Sequence, residues 1–189
     1  MSKLLTALVT EHDHILRVLA ALHDYAAFHA HDDGDVRAVL GQFVTYLREY
    51  VDGWHHHKEE EVLFVAMGHA GLPMDGGPLG CMLREHDAGR RHVGMLAELA
   101  AARVPGPLTQ EELAVMAGAV AGYVALLTSH IAKENQVLYP MAERIIAPGA
   151  LAALDELGER ASGDPGDGRR LEDLGDELIA RFTAARIAS

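Results

Sequence analysis

The sequence predicts an all-α protein, an up-down-up-down four-helix bundle with a short C-terminal helical appendage. Apolar residues recur at spacings of three and four along most of the 189 residues, and no long stretch alternates with a period of two. Ala and Leu abound whereas aromatic residues make up only 5%, which favours helices over strands. Breaks rich in Gly, Pro or Asp divide the periodic sequence into four long segments.

These four segments are amphipathic, and each predicts one helix of the bundle. They run from about Ser2 to His29, Asp35 to Met67, Leu79 to Arg103, and Thr109 to Ile146. Thr109 and Glu112 predict a capping box at the start of the fourth helix. We assign residues 1–146 to the bundle and residues 147–189 to a C-terminal extension with short helices over Ala150 to Ala161 and Arg169 to Ile187. The extension is expected to pack on the end of the bundle or on a second subunit, as in a homodimer.

The charge balance narrows the possible partners and the compartment. With His neutral the net charge is -12, which repels nucleic acid and anionic lipid, so neither is an expected partner. The single Cys81 cannot form an internal disulfide, which indicates a reducing compartment. The N-terminus lacks a signal-peptide pattern, and no apolar run is expected to be long enough to span a membrane. We therefore expect a cytoplasmic protein.

An internal repeat organises the histidines, of which the chain has twelve. Glu11-His12-Asp13 resembles Glu85-His86-Asp87, and residues 55–64 resemble residues 130–139. The spacing is also repeated, since His55 follows His12 by 43 residues and His130 follows His86 by 44. Histidines scattered over a surface have no reason to keep such spacing, so the repeat indicates a common site.

The repeat also selects one register among three overlapping His-x-x-x-Glu pairs in the second helix. The pairs are His55 with Glu59, His56 with Glu60, and His57 with Glu61. When the two copies are aligned, the first pair matches His130 and Glu134, whereas the other two pairs have no counterpart. We therefore choose the first pair and expect the third to face solvent.

The selected side chains suit a site for two metal ions. Residues four apart project from one helical face, and a carboxylate can bridge two ions while an imidazole binds one. At about 1.5 Å per residue, an up-down-up-down arrangement brings four histidines to nearly one height, namely His12, His55, His86 and His130. Imidazole with carboxylate suits iron, with manganese or zinc less favoured, and no thiolate is near the set. The predicted metal ligands are His12, His55, Glu59, His86, His130 and Glu134.

Further residues are candidates for the surroundings of the ions. His56 and Glu60 are expected either to support the ligands or to lie on the surface. Tyr123, seven residues before His130, is either a hydrogen-bond donor to a bound oxygen species or a packed aromatic residue. Arg90 either lines the site and attracts an anion or forms an ordinary surface ion pair.

At these residues the sequence resembles the hemerythrin-like, or HHE cation-binding, family. The resemblance covers about Leu4 to Ile146 and implies a non-haem di-iron centre that meets oxygen, nitric oxide or peroxide. Oxygen carriers of this family have a further His where Arg90 stands, which weakens the oxygen-carrier interpretation. The leading hypothesis is a di-iron protein that binds and reacts with small oxidants. The alternatives are an oxygen or iron storage or sensing module without catalytic turnover, and a structural bundle without metal.

Overall fold

The protein is helical throughout the residues described by the computed structural model, which are 2–31, 34–102, 104, 106–161 and 163–183. Among these residues there is no β-strand, so the all-α prediction is confirmed. Six helices follow one another along the described chain, over Lys3–Phe28, residues 36–69, Gly77–Ala101, Gln110–Ile145, Pro148–Ala161 and Pro165–Phe182.

Local capping explains where several helices begin. The predicted capping box is present, because the Thr109 side chain accepts from the backbone of Glu112 and the Glu112 side chain accepts from the backbone of Thr109. The third helix starts at Gly77, earlier than predicted, with a proline in its first turn. The predicted helix ends at Arg103 and Ile187 lie outside the described residues.

The second and fourth helices change their hydrogen-bonding pattern where the His-x-x-x-Glu motifs lie. The second helix is π-helical over Tyr46–His56 and Glu59–Leu63, and the fourth over Glu134–Leu138. Bonds from residue i to i+5 widen each turn, and such turns are frequent at functional sites. The sequence predicted ordinary α-helix here, and the wider turn alters which side chains face inward.

A buried polar layer separates two apolar cores. Along the first helix, Leu8 belongs to the smaller core and Ile15 to the larger, and Glu11 and His12 are buried between them. The second and fourth helices cross the same layer at their His-x-x-x-Glu motifs. Apolar packing on both sides therefore fixes the height of the polar side chains.

The last helix packs along the first and second helices of the same chain. Its residues Leu171, Leu178 and Phe182 join the larger core, and the Tyr50 hydroxyl donates to Glu172 at 3.1 Å. The helix begins at Pro165, earlier than the predicted Arg169, because the Asp164 side chain caps it and proline is favoured in a first turn. The extension thus covers the side of the first two helices, whereas a homodimer stays a prediction.

The fourth helix corrects the expectation that no segment is long enough to span a membrane. Gln110–Ile145 contains an 18-residue window of mean hydropathy 1.6 with few charges. The core helix of a bundle meets the same criterion, and this helix places His130 and Glu134 in the buried polar layer. Its length and composition are therefore weak evidence for a membrane span.

Candidate metal centre

The six predicted ligands lie together inside the protein, each with at most 1% of its surface exposed. With His56 they form two overlapping groups of four, and within each group the potential ligand atoms lie within 4.8 Å of one another. The first group is His12, His55, Glu59 and Glu134. The second group is His56, Glu59, His86 and His130. Because Glu59 belongs to both groups, one carboxylate stands between two potential ion positions.

His56 is the addition that the sequence did not assign to the ligands. Its ring stacks on that of His86 with 3.8 Å between the ring centroids, and its buried Nε2 atom has no hydrogen-bond partner among the described residues. The repeat argued against ligation because Ile131 occupies the matching position. The π-helical turns at the end of Tyr46–His56 are wide enough for adjacent histidines, His55 and His56, both to be buried.

Outer side chains hold the four remaining imidazoles by their Nδ1 atoms. A carboxylate or amide oxygen can only accept, so each Nδ1 carries the hydrogen and each Nε2 keeps its lone pair for the interior. The four contacts are His12 with Asn135 at 2.9 Å, His55 with Glu11 at 2.9 Å, His86 with Glu60 at 2.6 Å, and His130 with Glu85 at 2.9 Å.

Two lysines complete this outer support in a duplicated way. Glu11 accepts a hydrogen bond from Lys58, and Glu85 accepts one from Lys133. Burial would raise the pKa of Glu11, but the hydrogen bond from His55 and the positive charge of Lys58 outweigh it and lower that pKa. Both outer carboxylates are thereby kept ionised, which is the state that orients an imidazole for metal binding.

The interior of the cluster fits a cation, because acceptors face one another there. The Nε2 atoms of His86 and His130 are 3.0 Å apart, although each ring donates its only hydrogen outward. Nε2 of His12 lies 3.2 Å from Oε2 of Glu134, and the Nδ1 hydrogen of this ring is likewise donated outward, to Asn135. Both oxygens of Glu134 and Oε2 of Glu59 have no hydrogen-bond donor among the described residues. A metal ion satisfies lone pairs arranged in this way.

Burial and neighbouring charges shift the pKa values of the cluster in different directions. Burial would lower the pKa of His130, but the negative charge of Glu134 and the hydrogen bond to Glu85 outweigh burial and raise that pKa. Burial, together with the negative charge of Glu134, raises the pKa of Glu59 well above its usual range. One carboxyl group of this pair therefore retains a proton unless cations compensate the two charges. Burial also lowers the pKa of His55 to about 4, so its imidazole is neutral near pH 7 and available as a ligand.

Tyr139 is a further polar residue at the first group that sequence reasoning missed. Its hydroxyl donates to Oε1 of Glu59 at 2.6 Å and lies 3.4 Å from Nε2 of His12. Burial raises the pKa of this hydroxyl, so it remains a donor. The matching residue in the other copy of the repeat is Phe64, and this difference was the available signal.

Arg90 supports ligands from outside the cluster. Its guanidinium donates to Asp52 at 2.9 Å, to Asp87 at 2.9 Å and to Glu60 at 2.8 Å. Asp52 in turn lies 3.4 Å from Nδ1 of His56. Of the two alternatives for Arg90, the structure shows the ion pairs, because three carboxylates hold its side chain at the half-exposed edge, where it also lines a cavity with His56 and His86.

Two remaining expectations concern solvent-facing and packed residues. His57 and Glu61 are exposed, as the register argument predicted. Tyr123 is buried beside Gly89, and its hydroxyl makes no hydrogen bond within the described part of the chain. It lines a cavity together with His56 and His86.

A layer of His and Glu buried among helices, with its lone pairs turned inward, defines a helical cation-binding protein. The family model for the hemerythrin HHE cation binding domain matches residues 3–142, and the chain belongs to this family. The match confirms the resemblance that the repeated motifs indicated. Comparison with curated proteins and with solved structures gives no match.

Proposed function

We propose that the first four helices form an up-down-up-down bundle holding two iron ions, and that this di-iron centre binds and reacts with small oxidants. The oxidants are dioxygen, peroxide or nitric oxide. The observation that carries the proposal is the pair of four-residue donor groups that share Glu59. Nitrogen and carboxylate oxygen donors of this kind suit iron, and the cyclic contacts of the four helices suit a bundle.

The chain assigns different donors to the two ions. His12 and His55 would bind the first ion. The second ion would be bound by His56, His86 and His130. Glu59 and Glu134 lie between the sets. Bound iron supplies ferrous–ferric electron transfer. The apolar cores flank the cluster on two sides, and the Tyr139 hydroxyl holds a proton beside Glu59.

At Arg90 the chain differs from the oxygen carriers, which favours reaction over reversible oxygen carriage even though His56 brings a further imidazole to the second group. The guanidinium of Arg90 has no lone pair to give, so it cannot itself replace the additional His of those carriers. Its hydrogens are also directed to carboxylates at the edge of the protein. We therefore expect no stable reversible oxygen adduct, and we expect the reduced protein to be oxidised by oxygen.

The test is anaerobic loading with ferrous iron followed by elemental analysis and absorption spectroscopy. Two ions per chain are expected, and addition of oxygen, hydrogen peroxide or nitric oxide should change the spectrum irreversibly. One ion or none in carefully handled protein contradicts the dinuclear proposal. Full reversal over several cycles of oxygen and argon supports the alternative of oxygen storage or sensing without turnover.

A further inference from the structure

A cavity of about 370 Å³ adjoins the second group. His56 and His86 line its inner wall, and Tyr123 of the fourth helix lines it as well. All three side chains are buried. Arg48 and Arg90, which also line the cavity, are exposed, so it opens to solvent between the second and third helices. The cavity is thus a route from solvent to one of the two proposed ion positions.

The size of this cavity exceeds what the smallest oxidants require. One water molecule takes up about 30 Å³ in the liquid, and dioxygen, nitric oxide and hydrogen peroxide each have two heavy atoms. Pockets for organic ligands fall in the range of about 300–1,000 Å³. The cavity at the second group lies in this range.

Much of the wall between the imidazoles and the mouth is apolar, and Asp52, which accepts from Arg90, is its acidic member. Leu47 and Val93 contribute buried aliphatic side chains, and Gly89 contributes no side chain at all. A Cβ atom at Gly89 would lie 3.2 Å from a ring carbon of Tyr123, so a larger residue there has to enter the cavity or displace the ring. The absence of a side chain at this position therefore keeps the space open.

One free polar group borders this space beside the second group. Nε2 of His56 has no hydrogen-bond partner among the described residues, but its lone pair is the one proposed above for the second ion. The Tyr123 hydroxyl makes no hydrogen bond among the described residues and offers a donor hydrogen. A ligand with an apolar body and a short polar end that accepts from this hydroxyl suits the space.

We propose that this cavity binds organic hydroperoxides and directs the O–O group towards His56, His86 and Tyr123. The inference rests on the proposed function, and chemistry selects the ligand class, because peroxide alone among the three oxidants can carry an organic substituent. Reduction breaks the O–O bond and consumes two electrons and two protons, which yields an alcohol and water. For a single turnover the two electrons would come from ferrous iron bound at the two groups, one from each ion, and water would supply the protons. Repeated turnover requires a thiol reductant.

The first test measures binding without reaction. The probe is 2-phenyl-2-propanol, the alcohol formed from cumene hydroperoxide, titrated calorimetrically into iron-loaded protein. Gly89→Leu should weaken its binding by about tenfold, which corresponds to about 1.4 kcal/mol. Gly94→Leu is the matched control. Gly94 lies on the same helix, and a Cβ atom there would meet nothing within 4 Å. If Gly89→Leu fails to fold, Val93→Phe fills the same cavity.

The second test compares cumene hydroperoxide with hydrogen peroxide as oxidants of the diferrous protein, followed by stopped-flow absorption. Gly89→Leu should lower the rate constant for the organic peroxide, relative to that for hydrogen peroxide, by about tenfold. Gly94→Leu should leave that ratio unchanged. Oxidation by hydrogen peroxide with neither alcohol binding nor sensitivity to Gly89→Leu overturns this inference alone. Failure of both peroxides to oxidise the protein overturns the proposed function, and the alcohol titration then still decides whether the cavity binds such molecules.

Discussion

The two four-residue groups have the same outer support but different immediate surroundings. In each group a glutamate one residue before the lone histidine holds the paired histidine of another helix, Glu11 with His55 and Glu85 with His130. In each, a lysine three residues after that paired histidine contacts the same glutamate. The residue that follows the glutamate of each His-x-x-x-Glu pair contacts a histidine of the first or third helix. Glu60 contacts His86, and Asn135 contacts His12.

Three differences separate the groups. The second group contains His56 where the matching residue of the other copy is Ile131. The first group has the Tyr139 hydroxyl where the other copy has Phe64. The second group also borders the cavity. The duplicated residues thus orient the imidazoles of both groups, and the residues that differ give the two groups different immediate surroundings.

Replacement of the shared carboxylate is expected to have the largest effect. Glu59→Ala removes a donor from both groups and should lose both ions, because each position loses a carboxylate oxygen and only Glu134 remains between the two sets. Glu61→Ala, two residues later and exposed, should keep both ions. Metal content is measured by elemental analysis after anaerobic loading. Equal metal loss in the two variants would mean that the helix presents another face than the one described.

Replacing His56 with the residue found at the matching position of the other repeat copy should remove one ion only. His56→Ile copies the residue at the matching position of the repeat, and it should weaken the second ion by at least about 100-fold, the upper limit for loss of a supporting partner. The first ion should remain, because His56 belongs only to the second group. Stepwise titration with ferrous iron under anaerobic conditions separates the two affinities. If both ions bind as in the native protein, His56 is a packed neighbour and not a ligand.

The duplicated glutamates should have equal and smaller effects. Glu11→Gln and Glu85→Gln each leave an amide that can hydrogen-bond but carries no charge, so each should weaken one ion by about 10- to 100-fold. Asp13→Asn, at an exposed neighbour of His12, is the control. Competition with a metal-sensitive fluorescent chelator measures the affinities. A loss confined to one of the two variants would show that the halves are not supported alike.

The sequence predicted well which histidines and glutamates meet in the buried cluster, because a repeat constrains them twice; their role as ligands stays a prediction. His12 with His86, and His55 with His130, have matching neighbours and spacing, so their convergence followed from helix geometry alone. His56 was not assigned to the cluster because only the wider π-helical turn brings it inward, and no residue type predicts such a turn. Asn135 and Tyr139 were missed for another reason, since supporting contacts depend on which side chains of different helices meet.

The contacts of Arg90 likewise depend on which side chains of different helices meet. Replacement of Arg90 is expected to have the smallest effect. The guanidinium links Asp52 and Glu60, which hold His56 and His86, so Arg90→Gln should weaken only the second ion. The side chain is 39% exposed, so water screens these pairs.

Exposed ion pairs contribute about 1 kcal/mol or less, and a loss of about 1 kcal/mol corresponds to roughly a fivefold change in affinity. Arg91→Gln is the control for loss of one positive charge, since Arg91 is exposed and forms no ion pair among the described residues. Iron titration of both variants at low and high salt measures the effect, and the difference between them should shrink at high salt because the pairs are screened. A loss of 100-fold that salt does not change would mean that Arg90 fixes the imidazoles as strongly as Glu11 and Glu85 do. Identical titrations of the two variants would mean that Asp52 and Glu60 hold their positions without the guanidinium.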